Sequence, residues 1–431
     1  MIPRDRYLNK LISKKENGLI KVITGIRRCG KSYLLFEIYH QYLNSIGVPD
    51  DHIIELALDD DLNARYRNPL ELGAYIRSLV SGDPGSMYYV FLDEIQKVVT
   101  IDNPYFPGGM DQIGFVDVLL GLMKIKNVDL YVTGSNSRML STDILTEFRG
   151  RGDEVRVHPL SYTEFYSACE DKRHAWRDYF TYGGMPLVLS QRTHEDKAKY
   201  LRELFDKIYL DDIMARNQIG SAKTILDDLL DVLSSSVGSL TNPTKLADTC
   251  ASVKGSRIDD ETVAQYLDFF SDAFMLYKAQ RYDVKGRKYI GSPFKYYFTD
   301  VGLRNARLNF RQQEENHIME NVIFNELLVR NYSVDVGVVP YHFREDGKSQ
   351  RTNLKVDFVA NRDTKRYYIQ SAFAIPDDEK RTQETRPLEK VGDSFRKIVV
   401  VRDDIVPWHD ETGILYIGIE EFLLNEDAMD A

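Results

Sequence analysis

Short apolar runs and segments with helical periodicity alternate along the first third of the chain. The run at 19–24 precedes a segment in which apolar residues recur every three or four positions, as on the buried face of a helix. Further apolar runs follow at 52–58, 87–94 and 129–133. This alternation is typical of strands joined by helices, so the pattern predicts an α/β domain with a parallel sheet.

The link between the first strand and the first helix has the spacing of a phosphate-binding loop (P-loop), GIRRCGKS at 25–32. Its glycines permit a tight turn that points backbone N–H groups at phosphate oxygens, and the helix that follows directs its positive end at the same anion. Lys31 is expected to reach the β- and γ-phosphates of a nucleotide, and Ser32 to bind Mg²⁺. The predicted nucleotide-binding residues are Gly25, Ile26, Arg27, Arg28, Cys29, Gly30, Lys31, Ser32 and Tyr33.

Some residues inside this loop admit two interpretations. Arg27 and Arg28 could touch phosphates or a neighbouring subunit, and ordinary solvated arginines explain them equally well. Cys29 is interpreted as a filler of the loop, with a redox switch as the alternative.

A strand ending in two acids, MYYVFLDE at 87–94, follows roughly 60 residues after the loop. Asp93 is predicted to hold Mg²⁺, and Glu94 to orient and deprotonate the attacking water. The next apolar run, at 129–133, is followed by Gly-Ser-Asn-Ser, in which Asn136 is predicted to hydrogen-bond the γ-phosphate or the water. A plain Gly-Ser-Asn turn is the alternative for that segment.

Two arginines, Arg149 and Arg151, stand just before a further strand predicted at 154–157. An arginine that reaches the γ-phosphate bound by a neighbouring subunit would stabilise charge in the transition state. Surface arginines without such a role fit the pattern equally well.

The segments GIRRCGKS, YYVFLDEIQKV, YVTGSNSRML and EFRGRGDEVRVHPLSYTEF, taken together, resemble a large prokaryotic family of AAA-type (AAA+) P-loop ATPases. The stretch Gly183-Gly184-Met185-Pro186 is similar to that family's "GG-(F/M)-P" motif. The resemblance covers nearly the whole chain and implies ATP as the nucleotide and a C-terminal domain of unassigned role. It also implies that Arg151, in a Gly-Arg pair with Gly150, is a better candidate than Arg149 for the arginine that reaches a neighbour's γ-phosphate (an arginine finger). The chain is accordingly expected to form a homo-oligomer, which could be a ring.

The remaining chain is expected to hold three further domains after an ATPase core at 1–158. A helical lid is predicted at 159–219, in which Gly183 and Gly184 act as a hinge or simply end a helix. Three helices and a hairpin predict a winged-helix domain at 220–310, with strands at 274–283 and 295–300. Basic residues alternate with tyrosines over 277–289, which suits contact with DNA, whereas the acidic start of the third helix at 259–261 argues against it.

The last domain, 311–431, resembles a restriction-endonuclease-like α/β frame. Glu320 and Asp357 occupy two of the positions that hold Mg²⁺ in that fold, whereas its Glu-x-Lys position reads Gln370-Ser371-Ala372. A neutral amide is a poor Mg²⁺ ligand and alanine supplies neither proton nor charge, so nuclease activity is not expected.

Composition narrows the choice of function. The chain has 431 residues and three widely spaced cysteines, which fits a cytoplasmic protein. Its formal net charge of −10 argues against a protein that coats nucleic acid non-specifically. No apolar run approaches the ~18 residues of a membrane span. The main hypothesis is an ATPase that couples nucleotide state to DNA; the alternative is a signalling or assembly switch whose C-terminal domains bind protein.

Overall fold

The computed structural model describes residues 2–83, 85–106, 111–134, 150–217, 219, 223–311, 314–345, 348–375 and 377–430. The chain forms two compact units: Met1–His158 with Asp272–Phe274, and Pro159–Ser271 with Met275–Ala431. The finer domain boundaries expected after 158, 219 and 310 stay predictions.

The first unit is built on a parallel sheet. Its strands are β1 (Ile20–Thr24), β2 (Ile53–Ala57), β3 (Tyr88–Asp93), β4 (Ile101–Asp102), β5 (Gln112–Ile113), β6 (Val128–Thr133) and β7 (Gly152–Arg156). Its helices are Asp5–Lys14, Lys31–Tyr33, His40–Ser45, Pro69–Val80 and Phe115–Leu122, and the π-helical Leu34–Tyr39 makes Lys31 to Ser45 continuous. Five strands pair in parallel in the order β2-β3-β6-β1-β7, which confirms the predicted α/β fold.

The apolar character of these strands explains their central place. Val22, Val90 and Val132 are fully buried and pack with Leu72 and Leu119 of the flanking helices. Strands of a parallel sheet lose water on both faces and therefore read as near-continuous apolar runs. The same arrangement brings the carboxyl ends of β1, β3 and β6 to one edge of the sheet.

The second unit begins with helices, two of which start at N-cap residues that are evident in the sequence. Ser161 and Glu164 form a capping box for the first, and Asn242 caps a helix that has Pro243 in its first turn. Within the described part of the chain, no helix combines the length and apolarity needed to cross a membrane. The helices are Tyr162–Ala168, Ala175–Tyr182, His194–Glu203, Asp211–Arg216, Lys223–Ser235, Pro243–Thr249, Asp260–Asp272, Val301–Arg307, Glu315–Val329, Asp378–Glu389 and Ile419–Leu424, with π-helical turns at Leu204–Leu210 and Cys250–Lys254.

An eight-stranded sheet completes the second unit. Its strands are β8 (Leu276–Asp283), β9 (Lys288–Phe298), β10 (Ser333–Glu345), β11 (Lys348–Arg362), β12 (Lys365–Ala372), β13 (Arg396–Val401), β14 (Trp408–His409) and β15 (Leu415–Gly418). Their order is β14-β15-β13-β12-β11-β10-β8-β9, and β8 pairs in parallel with β10. The hairpin expected to be the wing is therefore part of the C-terminal sheet.

The bounds of that hairpin correct the sequence analysis. The second strand was expected at 295–300, but β9 already begins at Lys288. Gly291, Ser292 and Pro293 interrupt the apolar pattern, and such residues are tolerated because β9 is the outermost strand of the sheet. The winged-helix assignment itself stays a prediction.

The two glycines of the Gly-Gly-Met-Pro stretch end a helix. Gly183 has a φ of 71°, and its N–H donates to the Tyr179 carbonyl at 2.8 Å. A Cβ at Gly183 would lie 2.2 Å from Oδ1 of Asp300, and the Gly184 N–H donates to Oδ2 of Asp300 at 2.6 Å. The contacts favour the interpretation as a helix end rather than a hinge.

Candidate functional site

The predicted phosphate loop lies between β1 and the helix that begins at Lys31. Gly25 has a φ of 138°, and a Cβ there would stand 2.1 Å from the Val157 carbonyl oxygen, so this position requires glycine. Gly30 also has a positive φ, of 100°. The loop is thus shaped by a close approach to the chain that leaves β7.

The last two residues of the loop, Lys31 and Ser32, each donate hydrogen bonds to oxygens of the site. Lys31 is 4% exposed, and its Nζ donates to the carbonyl oxygens of Gly25 at 3.0 Å and Ile26 at 3.1 Å. Ser32 Oγ donates to Oδ2 of Asp93 at 2.7 Å. The structure therefore brings the predicted phosphate ligand, Lys31, and both predicted magnesium ligands together at one edge of the sheet.

A third polar residue, Thr133, belongs to this group and was not predicted. It ends β6, the strand between β1 and β3, and is fully buried. Its Oγ1 donates to Oδ1 of Asp93 and accepts the Glu94 N–H at 3.0 Å. The only sequence signal is its place at the carboxyl end of a strand, because a single threonine in an apolar run has no motif.

Glu94 is held in an uncommon backbone conformation with a φ of 53°. Its side chain is 9% exposed and accepts a hydrogen bond from Nε2 of Gln96. Burial raises the pKa of Glu94 above its ordinary value, the nearby Lys31 ammonium lowers it, and Asp93 raises it again. A carboxylate with a raised pKa next to a phosphate loop is suited to accept a proton from water.

The loop is also held at Cys29 by Arg4, a buried residue that sequence reasoning missed as well. Its guanidinium donates to the Cys29 carbonyl at 3.1 Å and to the His158 carbonyl at 2.7 Å. The Cys29 thiol is fully buried and donates to the Val157 carbonyl at 3.4 Å. These contacts agree with a packing role for Cys29.

The other predicted residues differ in exposure. Ile26 is buried, Arg27 half-buried and Arg28 exposed, while Tyr33 is 38% exposed. The charge of Arg27 lowers the pKa of Glu94.

Of the candidate arginine fingers and Asn136, only Arg151 lies within the described residues. Arg151 is exposed directly before β7, and its carbonyl accepts the Ile20 N–H at 3.0 Å. Arg149 and Asn136 lie outside the described residues.

Comparison with known proteins agrees with this geometry. A family model described as an AAA domain matches residues 17–166, and a domain of unknown function (DUF8612) matches residues 173–314. An uncharacterised protein of Haemophilus influenzae is 32% identical over 436 residues, covering 99% of both chains. The chain belongs to this family of AAA-type ATPases. An uncharacterised protein of Methanocaldococcus jannaschii is 27% identical, covering 93% of this chain and 84% of the relative.

Solved structures similar to this chain include the Aeropyrum pernix ORC1 protein in complex with DNA and Cdc6p from Pyrobaculum aerophilum. The first is 14% identical with a TM-score of 0.31, covering 71% of this chain and 92% of that one. The second is 10% identical with a TM-score of 0.30, covering 75% and 97%. At these scores the similarities support no functional conclusion.

The basic hairpin 277–289 makes more internal contacts than its sequence suggests. The Lys278 ammonium lies 4.0 Å from the ring centre of Phe294, and the rings of Tyr282 and Tyr289 meet edge to face at 5.5 Å. Lys285 Nζ donates to the Pro340 carbonyl at 3.1 Å. Arg287 and Lys288 at the tip are exposed, so these charges are available to a partner.

Proposed function

We propose that the chain binds ATP together with Mg²⁺ and hydrolyses it. The observation that carries this proposal is the convergence of Lys31, Ser32, Asp93 and Glu94 at the carboxyl edge of the first sheet. The oxygens of Ser32 and Asp93, 2.7 Å apart, are the hard donors that Mg²⁺ prefers. Bound Mg²⁺ would neutralise charge on the phosphates.

In this proposal the residues of the nucleotide site have different roles. When nucleotide binds, Lys31 gives up its hydrogen bonds to the two loop carbonyls and donates to phosphate oxygens instead. Its positive charge then lies beside the transferred phosphoryl group and stabilises the negative charge there. Thr133 and Ser32 fix the two oxygens of Asp93. Glu94 orients the attacking water and accepts its proton, and its burial keeps competing solvent away.

The test uses two variants whose effects differ. Lys31→Ala should lose tight binding of a fluorescent ATP analogue, because the phosphates lose their ammonium partner. Glu94→Gln should keep that binding and lose turnover, because an amide cannot accept the proton. Lys126→Ala, which removes an exposed lysine of the same unit, is the matched control and should behave as wild type. Unchanged affinity in Lys31→Ala would overturn the proposal.

A homo-oligomer in which Arg151 of one subunit completes the site of the next is part of the proposal. Its support is that Arg151 is exposed and follows Gly150, which has a φ of 78°. An exposed guanidinium on a fixed turn can reach a phosphate bound by another chain. We place this activity in the cytoplasm, where ATP is available and the three free thiols stay reduced.

We further propose that nucleotide state is coupled to DNA through the hairpin 277–289. Its support is the exposed charge of Arg287 and Lys288 at the tip. ATP turnover should rise with duplex or branched DNA in wild type and not in Arg287→Glu/Lys288→Glu, whereas Lys245→Glu, a charge reversal on another exposed lysine of the unit, should retain stimulation.

Binding of a protein partner, for signalling or assembly, is the second candidate. It is favoured by the internal packing of Tyr282 and Tyr289 and by the exposed acids Asp259 and Asp260 at the start of a helix. DNA that leaves turnover unchanged at low salt would favour this candidate over the first.

A further inference from the structure

The second unit contains a buried charge cluster that the nucleotide site does not use. Glu320, on the helix Glu315–Val329, and Asp357, on β11, are 7% and 4% exposed. Lys295, on β9, is fully buried, and its Nζ donates to Oε1 of Glu320 and, at 3.4 Å, to Oδ1 of Asp357. One ammonium group therefore joins two carboxylates from different elements.

Further donors complete the cluster. The Tyr297 hydroxyl donates to Glu320 at 2.6 Å, and Lys355 Nζ lies 2.9 Å from Oδ1 of Asp357. Burial lowers the pKa of Lys295 below its ordinary value, although the carboxylates of Glu320 and Asp357 act in the opposite direction. Its charged form is the one that leaves neither acid without an ammonium partner. Two acids and two ammonium groups balance in charge.

The neighbouring side chains are already engaged and do not offer a metal site. Gln370 accepts the Asp357 N–H at 3.3 Å and donates to Glu384 at 2.9 Å. Across the part of the chain that the structure describes, no group of three His, Cys, Asp or Glu residues is placed to hold a metal ion. Mg²⁺ does not fit here, because an ammonium lies where an ion bridging the two acids would have to be.

We infer that the Lys295 ammonium is a built-in replacement for a divalent cation between Glu320 and Asp357. Because this cation belongs to the chain, the charges of the two acids are compensated at any concentration of metal ions in solution. It also attaches the β8–β9 hairpin to the helix and to β11, because Lys295 belongs to the hairpin while its two partners do not.

The experiment measures Mn²⁺ bound per chain by equilibrium dialysis without nucleotide. Wild type and Asp357→Asn should bind equal amounts, because the acids are already occupied. Lys295→Ala should bind one additional ion, as two buried carboxylates without an ammonium between them become oxygen ligands. Lys295→Ala/Asp357→Asn should lose that ion again. Lys355→Ala is the matched control: it removes the half-exposed lysine and should gain no ion.

Two results would overturn the inference. One is a wild-type chain that binds an ion which Asp357→Asn loses. The other is a folded Lys295→Ala chain that binds no additional ion. If Lys295→Ala does not fold, the comparison of wild type with Asp357→Asn decides alone, and equal binding supports the inference.

Discussion

Replacing Thr133 by valine tests whether the buried hydroxyl organises the two acids. Valine has nearly the same volume as threonine, so the change removes the hydroxyl and little else. In the structure Thr133 is fully buried, donates to Asp93 and accepts from the Glu94 N–H. Water cannot take over either contact in the variant at a position without solvent access.

The magnitude follows from these two contacts. Each buried polar group left without a partner costs about 1–3 kcal/mol. If about 1.4 to 2.8 kcal/mol of this falls on the transition state, turnover slows about 10- to 100-fold. Affinity for a fluorescent ATP analogue should change much less, because Lys31 and the loop remain intact. Steady-state release of phosphate and an equilibrium titration of the analogue measure the two quantities.

Thr133→Ser is the matched control. It keeps the hydroxyl and deletes one methyl group, so it should lose about 1 kcal/mol of stability and retain turnover near the wild-type rate. A Thr133→Val chain that is folded by circular dichroism and turns over within twofold of wild type would refute the reasoning.

Three further predictions concern other contacts. Arg4→Ala should lower thermal stability and weaken nucleotide binding by about 1–3 kcal/mol, because the Cys29 carbonyl loses its donor; equal melting temperature and affinity would contradict this. Arg151→Ala should slow turnover at concentrations where chains associate, and addition of Glu94→Gln chains, which retain the arginine, should restore part of it; a variant active at every concentration removes Arg151 from that role. Burial raises the pKa of Asp300 to about 6, above its unfolded value near 3.9, so stability present at acid pH should fall as pH rises through about 6. Urea unfolding of wild type and Asp300→Asn between about pH 4 and 7 checks this, since only wild type should lose stability between about pH 4 and 6.

The sequence predicted the parts of the molecule that depend on local order. The apolar runs located β1, β2, β3 and β6, and the motif spacing located Lys31, because strand, turn and helix follow one another directly in the chain. Thr133 was missed because its role depends on strand order: β6 lies between β1 and β3, so the residue that ends β6 touches the acids of β3. The polar stretch that follows this strand in the sequence indicated Asn136 instead.

In the C-terminal cluster, the resemblance indicated Glu320 and Asp357, but Lys295 was out of reach for a similar reason. Lys295 precedes Glu320 by 25 residues and Asp357 by 62, and no spacing rule joins a lysine to acids at such distances. The hairpin also has the local signature of a wing, and only its pairing with β10 assigns it to the C-terminal sheet. Non-local strand pairing is set by the whole fold and leaves little trace in a single segment.

The pairing of β8 with β10 limits how the molecule can be divided. A fragment that stops near residue 310 would keep the hairpin but lose β10 and both acids of Lys295, so an exposed strand edge and an uncompensated buried charge would remain. Such a fragment should aggregate, and truncation is therefore a poor way to isolate the helices before the hairpin. Point changes at the hairpin tip leave the sheet intact and are the better way to separate the roles of the two halves of this unit.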